Sequence, residues 1–551
     1  MNAPPTDFPA PPGTFTDALV RAAERRSAPA VWDGDRRWTW RDLLHQSERT
    51  AAALHRHGLA AGEVLAAQLP NSWELVVLHA ATARLGVLLL PLHSAYGTRE
   101  TRALIEQSGA VALVAATGRR GHDRLHEIRA LREDCSGLRH VWVSAATGTG
   151  DTGGLPDLAR LLDPAPDPAA VRLPPPPADP AAPLVLLASS GTTSQRPKLC
   201  VHSHGGLLGN AAAVAADGGF GARDTVVSAS PLSHAFGLLS VHLALVTGAS
   251  VGLFGAWEPR AFAAALRGCG ATAAFAVPAQ LRDLLALPAD GSPAAPPTLR
   301  EVRTGGAPVP RELADAVRRV LGARLIVQWG MTEIGAGTYT RPGDPPEATG
   351  TIGRPALGAA VRVRRDDRPA APGETGELQY RSPWMFSGYH RAPEPTRAAF
   401  TPDGWLRTGD LAELRPDGSV VYRGRADELI NRGGLKFSAL EVEELLDDLP
   451  QLAQHAVVAR PDPRLGQRSC LVVALREGTR LTLEDVTGHL AGKGLATYKL
   501  PEQLVVVDRL PTTVTGKIAR ARLRTIALPP LPPRRPRRTP VAPASRTEAG
   551  T

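Results

Sequence analysis

The sequence predicts an α/β protein of more than one domain, on three observations. The chain has 551 residues, 43% of them hydrophobic and 21% charged, which is apolar material for more than one core. Short apolar runs such as 184–188 and 272–277 are too brief for helices and read as buried strands of a sheet. Amphipathic segments with helix-start signals lie between such runs. Thr39, with Asp42 three places on and Leu43, Leu44, Ala51 and Leu54 behind it, predicts a capped helix.

This alternation runs through the first three quarters of the chain, with no internal repeat. The proline-rich stretch 163–183 predicts an extended surface connection. Further on, Ser438 and Glu441 predict a capping box ahead of Val442, Leu445, Leu446 and Leu449, which share one helical face. Strand-like runs at 456–459, 470–474 and 504–507 surround that helix. The expected division is a large domain over 1–424, a small α+β domain over 425–527 and a tail over 528–551. Proline and arginine dominate the tail, which is expected to be disordered because it cannot bury enough apolar surface to offset its chain entropy.

The net charge of +9 raises the question of a nucleic-acid partner. Five arginines of the tail stand against Glu548, so the tail alone carries +4 and the body is only mildly basic. No nucleic-acid partner is expected. Cys135, Cys200, Cys269 and Cys470 have neither metal-like nor framework-like spacing, which points to a reducing compartment. The start is proline-rich without a basic cluster followed by an apolar run, and the most apolar stretch, 78–92, carries Arg84 and is too short to span a bilayer. A soluble, cytoplasmic protein with no membrane span is the expectation.

The run Ser189-Ser190-Gly191-Thr192-Thr193-Ser194-Gln195-Arg196-Pro197-Lys198 follows the predicted strand 184–188 and has the composition of a phosphate clamp. A glycine lets backbone N–H groups approach phosphate oxygens, hydroxyls donate to them, and Lys198 adds a positive charge. A Walker A loop would need glycine before the lysine and Ser or Thr after it. Pro197 and Leu199 stand there, which argues against a kinase-type or GTPase-type loop.

This segment resembles the signature of the acid-adenylating superfamily, which includes acyl-CoA synthetases, luciferases and peptide-synthetase adenylation domains. Ser194-Gln195-Arg196 replace the usual Gly-x, and Leu199 replaces the closing glycine. Further motifs follow in the family's order over about 15–523. Pro231-Leu232-Ser233-His234-Ala235-Phe236-Gly237 resembles the stretch bounding the acid pocket, with His234 and Ala235 shaping it. Thr304-Gly305-Gly306-Ala307-Pro308 resembles the loop against which adenine lies. Gln328-Trp329-Gly330-Met331-Thr332-Glu333 resembles the motif usually written Tyr-Gly-x-Thr-Glu; Gly306 and Gly330 would also face the acid. The resemblance implies that Thr332 touches the α-phosphate and that Glu333, with Thr192, holds Mg²⁺, a hard cation suited to oxygen donors.

Gly404-Trp405-Leu406-Arg407-Thr408-Gly409-Asp410 is similar to the ribose motif, in which the carboxylate accepts both ribose hydroxyls. Gly424-Arg425-Ala426-Asp427 is similar to the interdomain hinge, with Arg425 on the nucleotide and Asp427 as pivot. Gly433 and Gly434 would line the thiol channel, and Thr513-Val514-Thr515-Gly516-Lys517 is similar to the C-terminal lysine loop. The fold so implied has a large domain of α/β subdomains with a small β-barrel-like part, followed by a small, mobile α+β domain. The implied activity is adenylation of a carboxylic acid by ATP, with Lys517, Thr192 and Glu333 as the catalytic group, then acyl transfer to coenzyme A or a carrier-protein phosphopantetheine.

The likeness is greatest to stand-alone aryl-acid ligases, through Gln68-Leu69-Pro70-Asn71, Ile430-Asn431-Arg432 and Thr497-Tyr498-Lys499. In amino-acid-activating relatives an aspartate stands at the position of Ala235, and in ligases of 2-hydroxybenzoates an asparagine does. Ala235 therefore argues against a free amino acid, whose buried ammonium would lack a partner, and against a hydroxybenzoate. A small aryl, alicyclic or aliphatic acid remains. Two other classes stay open: a light-emitting oxygenase of the same fold, and an inactive scaffold whose basic tail binds an acidic partner.

Overall fold

The computed structural model describes residues 13–25, 29–119, 122–144, 152–163, 171–189, 197–287, 294–307, 309–365, 368–432, 435–462, 465–513 and 517–525. By their contacts the described residues fall into two units. The first joins those up to Asp427 with Thr512, Thr513 and Lys517; the second joins Glu428–Pro511 with those from Ile518 on. The 528–551 tail lies outside the described residues. Among the described residues no helix is long and apolar enough to cross a membrane.

The first unit contains two large sheets. In the nine-stranded sheet, Arg324–Met331, Glu301–Gly305, Ala273–Phe275, Thr225–Ser228, Ser250–Leu253 and Val31–Asp33 run parallel in that spatial order, with short antiparallel strands at both edges. In the seven-stranded sheet, Pro183–Ala188, Leu88–Pro91, Val64–Gln68, Ala112–Ala116 and His140–Ser144 are parallel, and Leu199–Ser203 returns antiparallel beside Pro183–Ala188. A third, five-stranded antiparallel sheet includes Ala360–Arg365, Gly376–Arg381, Leu406–Leu414 and Val420–Arg425, where a barrel-like part was expected.

Helices lie between the two large sheets, and one core spans all the layers. Leu75 and Leu78 of helix Trp73–Leu85 and Leu238 and Val241 of helix Ala235–Thr247 pack with Val251 of one sheet and with Leu65 and Leu187 of the other. A helix covered on both sides has no face to give to water, so it must be apolar around its circumference. This explains the stretch 78–92: every residue from Leu75 to Ala83 is buried, and each large side chain among them contributes about 1.5–3 kcal/mol. The helix expected after Thr39 is Trp40–Arg56, and Thr39 and Asp42 form the reciprocal capping box.

The second unit is α+β. Leu452–Asp462 and Gly466–Leu475 form a long antiparallel pair, with Gln503–Val506 parallel to the latter. Here one local expectation fails. Ser438 caps a helix, but the helix is only Ala439–Glu444, and Ser438 Oγ accepts from Leu440 N–H without a reciprocal bond from Glu441. The Glu441 carboxylate pairs instead with the Lys499 ammonium. A tertiary ion pair has displaced the local cap. Val442, Leu446 and Leu449 are nevertheless buried.

The core of the first unit holds an unusual polar inclusion. His79 and His242 meet through their Nε2 atoms at 2.9 Å, Phe15 packs on both rings, and His204 Nδ1 accepts the Phe15 N–H. Burial keeps these rings neutral: it lowers His202 and His204 to about 4, His242 to about 3, and His79 well below its usual value. An unfolded histidine titrates near ~6.5. Above that pH these rings do not affect stability. As pH falls from about 6.5 towards 4 only the unfolded chain takes up the protons, and each ring then costs about 1.4 kcal/mol per pH unit. Denaturation midpoints should therefore be level at neutral pH and drop steeply through pH 6 to 5; a level profile across that range would show that the rings are solvated.

Candidate active site

The parallel strands of the nine-stranded sheet all end on one side, so the loops that follow Ser228, Phe275 and Gly305 collect there with the end of Arg324–Met331. In such sheets ligands bind beyond the carboxyl ends of the strands. The register sets Gly305 beside Gln328. A Cβ on Gly305 would lie 2.2 Å from the Gln328 carbonyl oxygen, and one on Gly330, at a bulge, 1.9 Å from that of Gly335. Only glycine permits either approach. Gln328 is buried, Met331 is packed among apolar side chains, and Gly306 and Ala307 are exposed at the mouth.

The Trp329 indole N–H donates to Asp410 Oδ2 at 2.8 Å, inside the protein. The Arg425 guanidinium stands 3.2 Å from the other carboxylate oxygen, because Arg425 is the cross-strand partner of Asp410. Thr408 Oγ1 accepts the Asp410 N–H. Asp410 is thus a buried carboxylate with an indole donor on one oxygen and a guanidinium facing the other.

Four residues beyond Trp329, the side chain of Glu333 is also buried, and Tyr389 Oη donates to its Oε1 at 2.9 Å. The Cys200 thiol lies against the same carboxylate; burial and Glu333 push it well above its ordinary value, and the Tyr389 phenol likewise. His202 Nε2 donates to the Thr332 carbonyl at 2.7 Å, fixing the backbone just before Glu333. The candidate phosphate loop falls, in sequence, between the antiparallel strands Pro183–Ala188 and Leu199–Ser203. Ser189 N–H donates to the Lys198 carbonyl at 2.8 Å, and Lys198 N–H to Ser189 Oγ at 3.3 Å. The Lys198 ammonium lies 4.7 Å from the centre of the Tyr389 ring.

His234 caps helix Ala235–Thr247, so Ala235 opens its first turn. Burial, then the neighbouring His93 and Lys517, lower His234 to about 3, so it is neutral near pH 7 and cannot serve as a general acid there. Its ring lies 5.3 Å from that of His93, tilted by 46°. Behind it, Asn71 donates to the Ser230 carbonyl and accepts the Leu232 N–H, holding the pocket turn, while Gln68 donates to the carbonyls of His93 and Tyr96. Lys517 is exposed, and its side chain lies over Gly306: a Cβ there would be 3.3 Å from Cε.

The structure therefore joins Trp329, Asp410 and Arg425 in one cluster, Glu333 and Lys198 through Tyr389 in a second, and Lys517 with Gly306 and His234 in a third. Ser190, Gly191, Thr192, Thr193, Gly433 and Gly434, and the side chain of Asp427, lie outside the described residues. Sequence reasoning missed Tyr389, His202 and His93, single residues with no motif around them. Asn71 and Gln68 had a signal, the Gln68-Leu69-Pro70-Asn71 run, but no role.

The chain resembles known proteins over most of its length. The model of the AMP-binding enzyme family matches residues 19–390, and that of the AMP-binding enzyme C-terminal domain matches 441–517. A salicylyl-CoA synthase / salicylate adenylyltransferase of Streptomyces is 40% identical over 90% of this chain and 90% of its own. A salicyl-AMP ligase / salicyl-S-ArCP synthetase of Mycobacterium tuberculosis is 36% identical over 92% of this chain and 88% of its own. Among solved structures, an anthranilate CoA ligase in complex with anthranoyl-AMP superposes with a TM-score of 0.83 at 25% identity, covering 93% of this chain and 97% of that one.

Proposed function

The chain belongs to the AMP-binding enzyme family, an ATP-dependent acid–thiol ligase, and from that premise we propose that its acid is a small aryl carboxylate and that the clusters above are its working parts. It forms an acyl adenylate with release of pyrophosphate and passes the acyl group to a thiol, that of coenzyme A or of a carrier-protein phosphopantetheine arm. The observation that supports the site best is that one six-residue motif supplies both Trp329, bonded to Asp410, and Glu333, bonded to Tyr389. Asp410 then receives the ribose hydroxyls, Arg425 flanks the nucleotide, Gln328 to Thr332 and Gly305 to Ala307 border the base and α-phosphate, and Ser190 to Thr193 with Lys198 hold the outer phosphates.

Adenylation brings a carboxylate to a phosphorus already surrounded by anionic oxygens, so the site must supply positive charge where the two meet. Lys517 does so from above Gly306. The donor set suits Mg²⁺: Glu333 offers a carboxylate and Thr192 a hydroxyl, and no three His, Cys, Asp or Glu side chains cage a metal among the described residues, so ATP oxygens and water would complete the shell. Bound there, the cation would supply neutralisation of the phosphate charge. For the second step the reading assigns Asp427 as the hinge and Gly433 and Gly434 as the lining of the thiol channel. Free, mostly buried cysteines fit a reducing, cytoplasmic setting.

The aryl reading is supported by the aryl-acid ligases among the relatives, and the apolar residues Ala235 and Phe236 at the start of their helix, with the Phe236 ring 5.3 Å from that of Phe275, are compatible with it. A site built to bond a ring hydroxyl rejects the analogue lacking it by about 10⁴–10⁵, whereas an apolar pocket discriminates by about 10–200. Alanine at 235 offers no such bond. In pyrophosphate exchange over a panel of acids, benzoate-type acids without a 2-hydroxyl should fall within about tenfold of salicylate in kcat/KM. A preference for salicylate of 10³ or more would overturn this part, and an absence of exchange with any aryl acid would overturn the substrate class.

A further inference from the structure

Tyr389 belongs to none of the sequence motifs, yet it touches two residues that do. It belongs to the two-residue strand Gly388–Tyr389, which pairs antiparallel with Leu199–Ser203 so that Tyr389 faces Cys200 across the ladder. This strand is pinned on both sides: the Tyr389 N–H donates to Thr396 Oγ1 at 2.9 Å, and the His390 N–H to the Leu199 carbonyl at 2.8 Å. The same segment grips Glu333 twice, since the Phe386 N–H donates to the Glu333 carbonyl at 2.9 Å and the Tyr389 hydroxyl to its carboxylate at 2.9 Å. The ring of Tyr389 lies under the Lys198 ammonium at 4.7 Å, and the Phe386 ring, 4.9 Å away and roughly perpendicular, stops it from turning.

We propose that Tyr389 is a positioning residue that aims the Glu333 carboxylate through its hydroxyl and the Lys198 ammonium through its ring, so that cation and lysine address the same phosphate chain. The proposal rests on the reading of Glu333 as the divalent-cation carboxylate. A buried carboxylate held at one oxygen presents the rest of its lone pairs in a fixed plane, and partners of this outer kind commonly change metal affinity about 10-fold to 100-fold. An ammonium over an aromatic face keeps its charge and its remaining N–H donors while losing freedom to swing.

The test separates the two halves of the residue. With α,β-methylene-ATP bound, Mn²⁺ uptake is followed by the loss of the free-ion electron paramagnetic resonance signal, and the melting shift given by the nucleotide alone is followed without metal. Tyr389→Phe keeps the ring and removes the hydroxyl: the Mn²⁺ half-saturation should rise about tenfold with the metal-free nucleotide shift unchanged. Tyr389→Leu should lose both. Thr396→Val frees the Tyr389 N–H without touching the phenol, so it should raise the Mn²⁺ half-saturation by less, and it replaces the phenylalanine variant should that one fail to fold. Tyr389→Phe, or failing that Thr396→Val, that binds Mn²⁺ like wild type while Glu333→Gln does not would overturn the proposal. No Mn²⁺ uptake by wild type, or none lost in Glu333→Gln, would overturn the assignment of Glu333 instead.

Discussion

Replacing Lys517 by alanine is expected to slow adenylate formation by about 10²-fold to 10³-fold, the usual effect of removing one donor aimed at developing charge, while leaving a supplied acyl adenylate able to react with thiol. The variant should be clean. Lys517 is exposed, and two bonds that do not involve its side chain join it to Thr513: the Lys517 N–H donates to Thr513 Oγ1, and the Thr513 N–H to the Lys517 carbonyl. The two half-reactions are measured separately, pyrophosphate exchange for the first and single-turnover thioester formation from synthetic adenylate for the second. Equal losses in both would mean that Lys517 supports the fold or binds the adenosine, and the electrostatic role would be withdrawn.

Asp410→Ala should behave in the opposite way, weakening both half-reactions. The adenylate keeps its ribose, so a residue that binds ribose is needed before and after pyrophosphate leaves. Two hydrogen bonds from hydroxyls to a carboxylate, at about 1.5–3 kcal/mol each, predict a rise in the KM for ATP of about 10²-fold or more. Removal also takes the acceptor from the buried Trp329 N–H and the countercharge from beside Arg425. Asp410→Asn retains an acceptor without the charge and should fall between the two, near tenfold. Normal ATP saturation in a folded Asp410→Ala enzyme, with its melting temperature as control, would remove Asp410 from the nucleotide site.

The contrast between what was and was not legible follows from range. The Thr39 and Asp42 cap was readable because donor and acceptor are three residues apart and nothing else competes for either. Ser438 and Glu441 have the same spacing, yet Lys499, 58 residues on, takes the carboxylate. Motif residues such as Glu333 and Asp410 announced themselves through neighbours in the chain. The bonds that hold them did not: Tyr389 reaches Glu333 across 56 residues, and Trp329, though a motif residue itself, reaches Asp410 across 81, through strand placements that no local pattern encodes. Asn71 shows the intermediate case. Its run was visible, but its work, holding the turn 161 residues away at Leu232, is a tertiary fact.

The hairpin around 189–198 carries a consequence for how this enzyme could be altered. Its stems stay in register from Leu187 and Cys200 to Ala188 and Leu199, and Ser189 and Lys198 are tied to each other just beyond them. The two strands are therefore held by bonds among the described residues alone, on the sheet side of the loop. Exchange of the residues from Ser190 to Arg196 for a shorter sequence should accordingly leave the paired strands and the seat of Lys198 on the Tyr389 ring in place.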